Sequence, residues 1–142
     1  MMASLLTDLG LSDTGLVGVS EAELREVAED QAVASMPGRY VEFLRVMGRS
    51  GGSLLVGTDA FYPDILGIKQ DGLQLLADSG VPDLAPSGAV VFAMHQGYQV
   101  YWMPGDSSDD PPVYMYQEGD AQVSQEWKSF TEFLRHELTA SA

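Results

Sequence analysis

The chain has no cysteine among its 142 residues. That excludes disulfides, thiolate metal sites and a cysteine nucleophile. Positive charge is also scarce: seven Lys and Arg stand against 21 Asp and Glu, for a formal net charge of −14. Such a surface repels nucleic acid and anionic lipid, and attracts basic protein. The acids are spread along the chain, so no acidic tail accounts for the total. No apolar run approaches the roughly 18 residues that a membrane-spanning helix needs. The N-terminal MMASLLTDLGLSDTG has no basic region ahead of its apolar residues and reaches Asp8 too early for a signal peptide. Internal repeats and low-complexity segments are absent. The expected setting is the cytoplasm, with no membrane contact and no direct contact with nucleic acid.

Catalytic and cofactor motifs are missing too. His95 and His136 are the only histidines, and two isolated imidazoles without cysteine do not make a zinc site. No Gly-x-Ser-x-Gly elbow is present. GRSGGS has no Lys after its glycines and leads into an apolar run, which is not the context of a phosphate-binding loop. Acids are abundant, but a glycosidase needs two at a fixed separation, which abundance does not supply. In DSSDDPP, Asp106, Ser108 and Asp110 alternate as calcium ligands would, but Pro111 and Pro112 then end the pattern. The expectation is a protein that is not an enzyme and holds no cofactor and no metal.

What is present reads as one domain. A chain of this length can bury roughly 68% of its unfolded surface, and 45% of its residues are hydrophobic. Residues 1–19 read as a loosely held lead-in with a helical turn at Ser4–Leu9, followed by the main domain over 20–142. Ser20 and Glu23 form a capping-box pattern that opens a helix from Glu21 to about Ala34. Pro37 starts a second helix, Tyr40, Phe43, Leu44 and Met47 stripe one face of it, and Gly48 stops it. SLLVG is expected to be a strand, and DGLQLLADSG a short helix. Strands are expected at Ala89–Met94, Gln99–Met103 and Val113–Tyr116, the first two joined by a tight turn at Gln96–Gly97. Ser129 and Glu132 repeat the capping spacing before a final helix with Phe130, Phe133, Leu134 and Leu138 on one face. N-terminal helices, a central antiparallel sheet and a C-terminal helix make an α+β fold.

Three stretches carry a family resemblance. MPGRYVEFLRVMGRSGGSLLVG is similar to a pattern of Leu-Pro, an aromatic, Phe-Leu, a Gly-Gly turn and a strand. AVVFAMHQGYQVYWM resembles a central hairpin in which a polar strand end meets Gly and then an aromatic strand. DDPPVYMYQEGDAQVSQEWKSFTEFLRHEL looks like the closing module of Pro-Val, an aromatic strand, an acidic turn and a Ser-Phe, Phe-Leu helix. Over about residues 20–138 the chain resembles the SUKH superfamily, also called the Smi–Knr family. Met36 replaces the usual Leu before Pro37, and GRSGG the commoner Asn-Gly-Gly turn. The resemblance implies a non-enzymatic binding protein. Bacterial members are mostly immunity proteins that neutralise a toxin domain, often a nuclease. Fungal members are regulatory scaffolds, which gives the alternative of a regulatory module with an endogenous partner.

For such a protein the stretch DSSDDPPVYMYQEGD is the expected binding edge. Asp106, Asp109 and Asp110 precede the third strand, Glu118 and Asp120 follow it, and Tyr114 and Tyr116 lie on it. Tyr101, Tyr114 and Tyr116 alternate with Val100, Trp102, Val113 and Met115. If the latter set faces inward, the tyrosines face outward, as in binding hot spots, or lie under another element.

Overall fold

The computed structural model describes residues 4–12, 14–105 and 108–141. In chain order these form α1 (Leu5–Leu9), α2 (Glu21–Gln31), α3 (Gly38–Met47), β1 (Thr58–Asp59), α4 (Ile68–Asp78), β2 (Val90–His95), β3 (Gln99–Met103), β4 (Val113–Gln117), β5 (Gln125–Trp127) and α5 (Phe130–Ser141). The strands make one sheet in sequence order, and each pairs antiparallel with the next. The fold is therefore α+β, as expected.

Local chemistry sets the helix ends. Both arms of the capping box form: the Glu23 N–H donates to Ser20 Oγ at 3.1 Å and the Ser20 N–H to Glu23 Oε1 at 2.9 Å. The helix ends at Gln31 rather than near Ala34, because Ala32 turns left-handed (φ 56°) and its N–H closes on the Ala28 and Glu29 carbonyls. Gly48 does end α3, but with ordinary φ −67°. Space is what requires glycine there: a Cβ would lie 2.5 Å from the Leu44 carbonyl oxygen and 2.9 Å from Val19 Cγ1.

SLLVG is not a strand. Residues 52–57 are turns, with Leu54 and Leu55 tucked into the core, and pairing begins only at Thr58. A short apolar run signals burial without specifying extended structure. Residues 4–9 are not loosely held either. Leu5 is fully buried, its N–H donates to Glu42 Oε2 at 2.7 Å, and the nearly buried Arg39 pairs with both Asp8 and Glu42.

Helices cover both faces of the sheet. On one face, Tyr40, Phe43 and Leu44 of α3 and Phe130, Phe133 and Leu134 of α5 are all buried, as the stripes predict. Phe92 joins them, with its ring edge-on to Phe130 and Phe133 at 5.4 Å from each. A register shift between Val91 and Ala93 makes this possible. The bulge breaks alternation, so Phe92 turns to the aromatic cluster while Val91 and Met94 meet α4 on the opposite face. There α4 comes close because residue 72 is glycine; a Cβ would lie 2.7 Å from Val100 Cγ2 and 2.9 Å from Val91 Cγ1.

The tyrosine phase is corrected by the pairing register. Trp102 lies opposite Tyr114, Val100 opposite Tyr116, and Tyr101 opposite Met115. Tyr114 and Tyr116 thus share a face with Trp102 and Val100, while Tyr101 lies on the other face with Met115. The single apolar set expected across β3 and β4 does not exist.

Sequence reasoning missed Gln31. Its fully buried amide donates to the Val91 carbonyl at 2.6 Å and accepts from the Val91 N–H at 2.9 Å. Strand β1 reaches only Met94 and His95, so this side chain takes the place of a neighbouring strand at the bulge.

Candidate protein-binding face

Charge is divided unevenly. From residue 50 to 127 the sequence has eleven acids and one base, Lys69. That base is committed at the border with α2, where its ammonium donates to the Gln31 carbonyl at 2.5 Å, and burial lowers its pKa. The remaining bases serve mainly the helices: Arg45 pairs with Glu21, Arg49 with Glu23 and Arg135 with Glu132. The Arg49 hydrogen bond, aided by the Ser20 backbone, holds the Glu23 carboxyl below its usual range. Among the described residues, none of the acids between residues 50 and 127 enters an ion pair.

Three of these acids, Asp59, Asp71 and Asp78, border a groove between α4 and the β1–β2 pair. Asp59, Asp71, Gln74 and Asp78 supply its polar lining; Ile68, Leu75 and Met94 supply apolar surface, and Gly97 closes one end. Its volume is about 370 Å³. Helical spacing aligns Asp71, Gln74 and Asp78 along α4, and the Gln74 amide donates to Asp78 Oδ1 at 2.8 Å. Asp59 comes from β1, where it pairs with Met94. Gly97 belongs to the tight turn between His95 and Gln99, in which Gln96 (φ 52°) and Gly97 (φ 80°) are both left-handed, at the place where the turn was expected.

The sequence-predicted residues scatter around β4. Asp106 lies outside the described residues. Asp109 is exposed, and its backbone carbonyl accepts from the Arg39 N–H at 2.8 Å. Asp110 is engaged at the start of α5, accepting from the Thr131 N–H at 3.0 Å and the Thr131 hydroxyl at 2.7 Å. Tyr114 is half-buried and stacked on Trp102. Tyr116 is fully buried and donates its hydroxyl to the Asp120 carbonyl at 2.6 Å. It offers no surface to a partner, because Val100 and Tyr116 share the sheet face under cover. Glu118 and Asp120 are exposed at the far end of β4. There the Glu118 N–H donates to the Tyr98 carbonyl at 2.8 Å, which ties this turn to the hairpin tip beside the groove. The acids thus bracket β4 at its two ends, and only the Glu118–Asp120 end adjoins the α4 groove.

A model of the SMI1 / KNR4 family (SUKH-1) matches residues 18–136. The chain belongs to this family. Searches of curated proteins and of solved structures return no match. The matched span of this SUKH-1 domain includes α2 to β5, the α4 groove and most of α5, and leaves α1 outside it.

The groove acids of the SUKH-1 domain were the residues missed in sequence. Asp71, Gln74 and Asp78 carried a signal, a polar stripe at helical spacing, but Asp59 joins them only through the sheet. Among the described residues, no three acidic or histidine side chains converge closely enough to hold a metal ion. No described helix is long and apolar enough to cross a membrane. A groove with spaced carboxylates and a partly apolar lining can take cationic side chains, with their stems against the half-buried Leu75.

Proposed function

We propose that this SUKH-1 domain is a non-enzymatic protein-binding module of the cytoplasm, an immunity protein that neutralises a basic bacterial toxin domain by covering it. One observation carries the reading: Asp59, Asp71 and Asp78 gather on the α4 groove without an ion-pair partner among the described residues, while arginines pair with carboxylates of the helical layer. Charge of one sign on a rigid face speeds encounter with a basic partner, and buried contacts then set the lifetime of the complex. The binding face comprises the α4 groove with Asp59, Asp71 and Asp78, extended through Glu118 and Asp120. Asp109 and Tyr114 lie at its margins.

The test is co-expression with basic toxin domains, nucleases included, encoded next to genes of this family. Growth rescue by one toxin partner, with a stable complex on gel filtration, is the expected result. Failure to protect against any of them, together with specific capture of an endogenous regulatory protein, would favour the scaffold reading instead.

A further inference from the structure

The sheet face beneath α4 is not covered to its far side. The helix packs over Val91 and Val100. Towards β4 on the same face, Trp102 and Tyr114 stack with ring centroids 6.0 Å apart and planes 29° apart. They line an open depression of about 240 Å³, together with Leu84, Pro86, Pro104 and Val123. All six lining residues are apolar or aromatic, with the buried Trp102 forming the floor.

The walls are set in advance. Residues 81–89 form two turns, closed by the Leu84 N–H on the Val81 carbonyl at 3.2 Å and the Ala89 N–H on the Pro86 carbonyl at 3.0 Å. Backbone meets backbone at Gly88 and Gly105, where a Cβ on residue 105 would lie 1.9 Å from the Gly88 oxygen. A site held this way loses little freedom on binding.

Acids border it. Asp83 directly precedes Leu84, Glu126 stands opposite Tyr114 in the β4–β5 ladder, and Asp120 reaches Ser124 beside Val123. Lys128, just beyond β5, is the nearest base in sequence. The volume lies below the roughly 300–1,000 Å³ of small-molecule sites and suits one side chain.

We infer that this depression is an anchor subsite for a protein partner, taking one aliphatic or aromatic side chain from a segment with Lys or Arg on both sides. The inference rests on the reading that the partner is a basic protein, and names what that partner inserts. An apolar or aromatic anchor seated in a pocket, ringed by contacts that exclude water, is the usual form of an interface hot spot.

Trp102 and Trp127 are the only tryptophans, so Trp127→Phe leaves Trp102 as the sole reporter. The probes are blocked tripeptides Arg-Leu-Arg, Arg-Gly-Arg and Glu-Leu-Glu. Arg-Leu-Arg should change Trp102 emission saturably, with the other two weaker by about tenfold or more. Val123→Arg and Leu84→Arg, each tested in a variant that melts as the parent does, should abolish the response. The subsite is overturned if Arg-Gly-Arg binds as well as Arg-Leu-Arg, if Arg-Leu-Arg gives no response up to about 10 mM, or if both folded Arg variants bind normally. The two readings separate cleanly. A toxin complex insensitive to both Arg variants removes the subsite alone, whereas Arg-Leu-Arg binding without protection against any toxin removes the immunity role alone.

Discussion

The helical layer and the sheet-with-α4 side of this domain handle charge in opposite ways. Arginines of α3, α5 and the turn after α3 pair with carboxylates of α1, α2, α3 and α5. On the other side, Asp59, Asp71 and Asp78 border the α4 groove, and Lys69, the only base between residues 50 and 127, is itself tied to the end of α2. The exposed pairs contribute little stability; their effect is to offset part of the negative charge of the helical layer. Residues 50–127 hold eleven acids and one base, and among the described residues none of those acids enters an ion pair. A partner that senses charge meets a molecule with two unlike sides.

The strongest way to break this comparison is to show that the two sides fold separately. They share the aromatic cluster, so Phe133→Ala should cost about 3–5 kcal/mol and lower one common transition in urea. Fluorescence and circular dichroism midpoints that separate would make the sides independent units. Next in size is Gln31→Leu. It removes the amide that joins α2 to the β2 bulge and leaves a buried N–H and C=O without partners. A loss of about 2–4 kcal/mol is expected in chemical denaturation; a neutral result would mean the bulge repairs itself.

Asp110 sharpens the boundary. It comes from the acid-rich loop but serves the helical layer, holding the Thr131 N–H while Ser129 Oγ accepts from the Glu132 N–H. Asp110→Ala should cost about 1–2 kcal/mol, as loss of a helix cap does, whereas the exposed Asp109→Ala should stay within about 0.5 kcal/mol. Equal melting temperatures for the two would place Asp110 with the unpaired acids. The smallest effect is at Glu23. Its folded pKa lies below the unfolded 4.5, so the Arg49 pair stabilises the fold above that value and the benefit fades as pH falls through the folded pKa. Glu23→Gln should therefore be slightly less stable than wild type at neutral pH and equal to it in strong acid. A difference that persists in acid would point to the lost capping arm rather than to charge.

Much of the helical layer was legible in sequence because its signals are local. Ser20 with Glu23 marks a helix start, and Tyr40, Phe43 and Leu44 mark a buried stripe. The central hairpin was legible for the same reason, since Gln96–Gly97 specifies its own turn. The sheet-and-α4 side depends on distant pairing. One extra residue at Phe92 reassigns faces along β2, and the β3–β4 register, set by no local motif, places Tyr116 under cover. Gln31 looked like any polar helix residue until the strand it completes was in place. Asp59 and Asp71 are separated in sequence by half of a turn-rich segment and the start of a helix, and only folding puts them on one groove.

The most direct measurement compares two triple variants of equal net charge. Asp59→Asn, Asp71→Asn and Asp78→Asn neutralise the groove; Glu21→Gln, Glu29→Gln and Glu132→Gln neutralise the same number of acids on the helical side, and both leave −11 of the original −14. Association rates with the basic toxin domain found in the rescue screen are read by stopped flow at low and high salt. The groove triple should associate about tenfold more slowly at low salt, with the difference closing as salt screens the charges, while the helical triple should stay within about twofold of wild type. Equal slowing by both triples would mean that net charge alone attracts the partner, and would contradict the assignment of the binding face.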